Sequence, residues 1–163
     1  MWRNVKYTAV DLAMLGVVAA VFGVVFTLTW SVYYFASAIG GPILSRLLAY
    51  GLWFMAAPLA ASLIKKPFSA FLGETLGALI ETIIPTVGGF TNLIYGLAQG
   101  FASELAYVLT RYKRYGLFEA MLAGALAAPP CIALDAILFG EIYSTELMII
   151  LTIGAAISGA IYG

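Results

Sequence analysis

Histidine is absent from this 163-residue chain, and cysteine occurs once. Without histidine the chain lacks the commonest metal ligand and the usual base for nucleophilic catalysis. Cys131 has no second cysteine to pair with, and its apolar surroundings read as packing rather than as a reactive thiol. Charge is scarce too: 10% of residues are Asp, Glu, Lys or Arg, against about 25% in soluble domains. Eight cations balance eight acids, so bulk charge favours no nucleic-acid partner. No G-x-x-x-x-G-K-S/T loop is present to cradle nucleotide phosphates, and neither H-E-x-x-H nor G-x-S-x-G occurs. An intramembrane aspartyl protease would need two aspartates at membrane depth, and Asp11 lies at a helix end. Nothing in the sequence calls for a cofactor or a resident metal.

What fills the chain is apolar: 63% of its residues are hydrophobic. At roughly 20 apolar residues per crossing, the length holds six helices with short loops. No room remains for a soluble catalytic domain. The expected architecture is therefore an all-α integral membrane bundle, one domain over 1–163. Its helices are expected at about 8–30, 46–64, 68–84, 91–110, 117–138 and 146–163. The apolar run from Thr8 to Trp30 is too long for a signal-peptide core and reads as the first span. Lys65-Lys66-Pro67 ends the second predicted helix and suits the first turn of the third, where proline's missing N–H costs nothing. Pro85 stops the third, and Pro129-Pro130 interrupts the fifth. The sixth runs to Gly163, an abrupt end that suggests a minimal or trimmed C-terminus. No internal repeat is evident.

Basic residues set the orientation. Arg3, Lys6, Lys65, Lys66, Arg111, Lys113 and Arg114 fall on one side of a six-span chain, and only Arg46 falls on the other. The positive-inside rule then puts both termini in the cytoplasm of a multi-pass plasma-membrane protein. Loops 31–45, 85–90 and 139–145 would face outside. The first is the longest and is rich in aromatic and small residues. It could cover a site opening outward, or Trp30, Tyr33 and Tyr34 could form an interfacial aromatic belt.

Ionisable groups inside spans are costly and usually face a cavity or a partner. The third predicted helix carries Glu74 and Glu81 among eight Leu, Ile and Phe residues. Those eight favour insertion by ~2.5–5 kcal/mol, and two acids oppose it by ~5–7. That helix should need neighbours. A spacing of seven puts Glu74 and Glu81 on one face, about 10 Å apart along the axis. Asn92 and Gln99 share a face of the fourth helix, with Glu104 turned about 140° from Gln99. Asp135 follows Pro129-Pro130, whose missing N–H donors leave carbonyls free. Such a break is tolerated where it lines a cavity or is buried in protein. Tyr50 and Trp53 lie one turn apart on the second helix, as stacking surfaces or as interfacial anchors. By depth, Glu81, Asp135, Trp53, Tyr50 and Asn92 belong to the outer half, Gln99 and Glu74 to the middle, and Glu104 to the cytoplasmic side. Glu74 and Glu104 admit a purely structural role as well as a binding one. On the first helix Ala9 and Ala13, Gly16 and Ala20, and Ala19 and Gly23 repeat small residues every fourth position, which lets another helix approach closely.

Four segments carry a family resemblance: Ala49-Tyr50-Gly51-Leu52-Trp53-Phe54, Ile64-Lys65-Lys66-Pro67, the run from Gly73-Glu74 to Ile80-Glu81, and Gly96-Leu97-Ala98-Gln99-Gly100 through Glu104. In combination the chain resembles the S-components of energy-coupling factor transporters, most closely the YkoE family. The resemblance implies a six-helix capture subunit that binds a vitamin or precursor from outside, here thiamine or its hydroxymethylpyrimidine precursor. It implies a transmembrane coupling subunit and two ATPases as partners, with a small-residue motif on the first helix making the contact. Ala9, Ala13, Gly16 and Ala20 are the positions that could carry it. The implied first outside loop closes the site. Pro129-Pro130 and the short C-terminus depart from the family pattern.

The residues agree with that implication. Carboxylates such as Glu81 and Asp135 can balance a thiazolium cation and accept from an aminopyrimidine, and Trp53 can stack on either ring. The alternative is a self-sufficient proton-coupled secondary transporter or exporter, with Glu74 and Glu81 as a relay. The missing inverted repeat speaks against it, and a homodimer would be needed to restore it.

Overall fold

The computed structural model describes residues 6–163, so Arg3 of the orientation argument lies outside the described residues. Every regular element among them is helical: α1 (Ala9–Ser45), a π-helical turn (Arg46–Tyr50), α2 (Gly51–Phe54), α3 (Ala56–Ile64), α4 (Ser69–Ile83), α5 (Thr91–Leu109), α6 (Leu117–Leu126), α7 (Ala128–Phe139) and α8 (Thr145–Tyr162). The stretches Ala9–Ile64, Leu117–Phe139 and Thr145–Tyr162 are long and apolar enough to cross a membrane.

Helix α1 begins with a capping box, Thr8 Oγ1 accepting from the Asp11 N–H and the Asp11 carboxylate accepting from the Thr8 N–H. It then corrects the expected loop at 31–45. The run from Trp30 to Ile39 contains no glycine or proline, so nothing stops the helix until Gly40-Gly41, where Gly41 takes φ 63°. Only there does the chain turn, re-entering through Pro42 and the π-helical turn. From Ala9 to Ile39 the helix is about 46 Å long at 1.5 Å per residue, well beyond the ~30 Å of a hydrocarbon core. The expected second helix is divided at Met55 into α2 and α3, and the expected fifth at Ala127 into α6 and α7. Pro129 and Pro130 fall in the first turn of α7, the position where missing donors are orphans anyway.

Helix α4, the span whose acids offset its apolar residues, packs against α1, α3 and α5. Its small faces allow that. A Cβ on Gly73 would lie 2.3 Å from the Ala60 Cβ of α3, and one on Gly77 would lie 3.0 Å from the Phe26 ring of α1. On the far side α6 crosses α8 at Gly124 and Gly159, each within reach of the other's backbone carbonyl. Serines tie the helices where backbones meet: Gly51 N–H donates to Ser158 Oγ at 2.9 Å, and Ser103 Oγ donates to Ala123 O at 2.9 Å. The small-residue stripes on α1 separate into two groups. Ala19 and Gly23 are buried, Gly23 against Ile80 of α4, whereas Ala9, Ala13, Gly16 and Ala20 are exposed, with nothing within 4 Å of a Cβ added at Gly16.

Candidate functional site

The C-terminal part of α1, the π-helical turn with α2, the end of α4, the start of α5 and α7 surround a cavity of about 320 Å³, within the size range of small-molecule sites. Six of the residues singled out from the sequence line it: Glu81, Asp135, Trp53, Gln99, Asn92 and Tyr50. Helical geometry explains the grouping. Asn92, Tyr95, Gly96 and Gln99 present one face of α5, and Cys131 and Asp135 stand one turn apart on α7.

The carboxylates, amides and indoles of the wall have defined partners. Trp30 Nε1–H donates to Glu81 Oε1 at 2.9 Å, joining α1 to α4. Trp53 Nε1–H donates to the Phe26 carbonyl at 3.1 Å, which fixes its ring. Asp135 accepts from Tyr50 Oη at 2.5 Å and Tyr95 Oη at 2.8 Å, so it orients two of the aromatic walls. Asn92 Nδ2 donates to Thr86 Oγ1 at 2.9 Å, and Gln99 Nε2 lies 3.1 Å from Cys131 Sγ. The wall is strongly aromatic. Trp30 and Trp53 meet edge to face at 5.0 Å, and Trp30 stacks on Tyr34 at 5.9 Å.

Arg46, read as an outer cation from the sequence, is instead buried behind this wall with 2% of its surface exposed. It pairs with Asp135 at 3.4 Å and, more closely, with Glu141 of the α7–α8 loop. Its guanidinium lies over the rings of Tyr50 and Tyr33, 5.1 and 5.8 Å from their centres. Tyr33 Oη donates to Glu141 Oε1 at 3.2 Å. Arg46, Glu141, Tyr33, Trp30 and Tyr95 are among the residues at the site that the sequence pattern left unassigned. Tyr95 carried a usable signal, three residues after Asn92 and four before Gln99 on one face. Glu141 sits in a loop and carried none.

Glu74 and Glu104, expected among the binding residues, lie outside the cavity lining. Glu74 is 1% exposed and turned toward α3, where its Oε2 accepts the Ala57 N–H at 2.9 Å. Glu104 accepts from the Phe68 and Phe71 N–H groups at 2.6 and 3.0 Å. It thereby caps α4 from outside, because Phe68 at the cap position has no side-chain acceptor.

Comparison with known proteins gives this geometry a lineage. Residues 10–130 match the family described as the permease component of an ABC-type cobalt transport system. The chain is 30% identical over 152 residues to YkoE of Bacillus subtilis (strain 168), a protein named as a candidate HMP/thiamine permease, covering 93% of this chain and 76% of YkoE. A solved structure described as an S-component of an ECF transporter superposes with a TM-score of 0.89 at 29% identity, covering 96% of this chain and 80% of that one. Among the described residues no group of three or more Cys, Asp or Glu is placed to hold a metal ion. The chain belongs to this permease family and, within it, to the YkoE-like S-components of energy-coupling factor transporters.

Proposed function

We propose that this multi-pass membrane protein is the substrate-capture subunit of an ATP-driven vitamin uptake transporter, and that its cavity takes thiamine or the hydroxymethylpyrimidine precursor from outside. In this reading the chain crosses the plasma membrane six times as one domain, by α1, α2 with α3, α4, α5, α6 with α7, and α8. Both termini then lie in the cytoplasm. The observation that carries the ligand assignment is the cavity wall, where carboxylates stand among indole and phenol rings. A flat cationic heterocycle fits both features. Its ring stacks on Trp53 and its charge is met by the ring faces, worth about 2 kcal/mol where water is excluded. Glu81 keeps one oxygen on Trp30 and offers the other to the ligand's amine or cation. Asp135, held by Tyr50, Tyr95 and Arg46, acts mainly by orienting those rings. Gln99 and Asn92 supply neutral polar contacts. Glu74 and Glu104 support the helices.

Transport work would come from partners. A membrane coupling subunit would pack on the exposed stripe of Ala9, Ala13, Gly16 and Ala20 on α1, and two ATPases would supply hydrolysis, which makes this chain itself non-enzymatic. Calorimetry on the purified chain tests the reading. Stoichiometric binding of thiamine or hydroxymethylpyrimidine is expected, weakened by Glu81→Gln and by Trp53→Ala with the fold intact. Binding of neither compound, or ATP-independent uptake by the chain alone in vesicles, would refute it.

A further inference from the structure

A second cleft, of about 650 Å³, opens at the other end of α4 and α5 from the cavity, between the α3–α4 turn and the α5–α6 turn. Lys65, Lys113 and Arg114 border it from two separate turns. All three are exposed, and none forms an ion pair among the described residues. Lys66 differs, since it is committed to Asp11 at the start of α1. The acid at the rim, Glu119, is buried and engaged, accepting the Gly116 N–H at 3.1 Å. Tyr115 also borders the cleft, and its buried hydroxyl has no hydrogen-bond partner among the described residues. Directly beyond the cations, Leu117 and Phe118 open α6 with 77% and 70% of their surface exposed. In a membrane protein, that places unpaired cations at headgroup depth and apolar side chains at the level of the acyl chains.

We propose that this cleft binds one anionic phospholipid, its phosphate held by Lys65, Lys113 and Arg114 and its chains lying along Leu117 and Phe118. Diffuse attraction of basic loops to a membrane needs no such convergence. Here two turns distant in sequence bring three cations to one concavity, and Glu119, the acid that borders it among the described residues, is already bonded. The cleft is formed by elements other than α1, so a lipid there leaves the small-residue stripe free.

Native mass spectrometry of the full chain, purified in detergent and titrated with dioleoyl phosphatidylglycerol, tests the proposal. One retained phosphatidylglycerol is expected, with dioleoyl phosphatidylcholine not retained. The K65Q/K113Q/R114Q variant is expected to weaken retention roughly 100-fold, with tryptophan emission and cavity-ligand binding unchanged. Arg111→Gln, which removes an exposed cation outside the cleft, should leave retention intact. If the triple variant does not fold, Arg114→Gln alone carries the test, with a roughly fivefold loss expected. Equal retention by wild type and variant would overturn the proposal, as would an equal loss with Arg111→Gln. Displacement by inorganic phosphate alone at the lipid's own concentration would make the cleft a free-anion site and also overturn it. A triple variant that keeps its lipid but no longer assembles with its partner membrane subunit would assign the cleft to that subunit instead.

Discussion

Arg46→Met should be among the most damaging single substitutions behind the cavity, and its cost can be worked from the contacts. The guanidinium is buried, bridges Asp135 and Glu141, and lies over two tyrosine rings. Removing one partner of a buried pair leaves the other charge uncompensated, at about 3–5 kcal/mol. Glu141 is partly accessible at 28% of its side chain, so water can take up some of its charge. Asp135 keeps the Tyr50 and Tyr95 hydroxyls. Both facts favour the lower end, about 3 kcal/mol, or a fall of ~6–12 °C in melting temperature for a chain of this size. Removing the stranded charge should restore stability. Arg46→Met with Asp135→Asn is therefore expected to melt above Arg46→Met alone, because neutral replacements of a buried pair cost little. Thermal melts in detergent followed by tryptophan emission, run as a double-mutant cycle, measure the coupling directly. An Arg46→Met melt within about 2 °C of wild type, well short of what the stranded charge should cost, would refute the reasoning. So would simple additivity of the two substitutions.

Glu104→Ala strips both acceptors from the first turn of α4. Each bond to a charged acceptor contributes about 1.5–3 kcal/mol, so a loss of about 3 kcal/mol or more is expected in the same melts, with cavity-ligand affinity unchanged by calorimetry. Gly159→Ala would put a Cβ 2.2 Å from the Gly124 carbonyl oxygen and force α6 from α8, at about 1–3 kcal/mol. At Gly16 an added Cβ has nothing within 4 Å among the described residues, so Gly16→Leu points a side chain off the α1 surface. That variant is expected to melt and bind ligand like wild type while failing to co-purify with a coupling subunit. Retained co-purification would remove the α1 stripe from the interface.

The placement of acids inside helices was legible from spacing and cost alone, and so was the need of α4 for close neighbours. Spacing alone did not separate the two acids of α4. Glu74 and Glu81 lie within about 20° of each other around α4, yet only Glu81 lines the cavity. They differ in depth, and at the depth of Glu74 the neighbouring α3 presents a backbone N–H in its first turn. That donor lies where the helix is interrupted at Met55, between α2 and α3, and Pro58 in the first turn of α3 was the sequence signal for a break within 46–64. Glu104 follows the same logic, since its work depends on where the α3–α4 turn lies and not on its own helix. Arg46 was missed because a count of cations per loop treats every cation as solvated. Its signal was its isolation: the one cation on its side, bordered by apolar Leu47 and Leu48, at the depth assigned to Asp135.

The largest departure, the helix in place of a loop over Ser31 to Ile39, has a physical reason that bears on function. Ending a span after about 20 residues follows from bilayer thickness, but thickness limits only what lies in hydrocarbon, not how far a helix continues. Backbone hydrogen bonds propagate until a residue interrupts them, and here the first interruption is Gly40-Gly41. The excess turns carry Tyr33, Tyr34 and Ser37 along the cavity wall, with Trp30 at their base bonded to Glu81. The aromatic residues that could equally have formed an interfacial belt are thus held by a rigid helix against the carboxylates. A helix of ordinary span length ending at Trp30 would leave that side of the cavity open. Its overshoot followed by two glycines gives the cavity a wall on one side and returns the chain, through the π-helical turn, to place Arg46 behind Asp135.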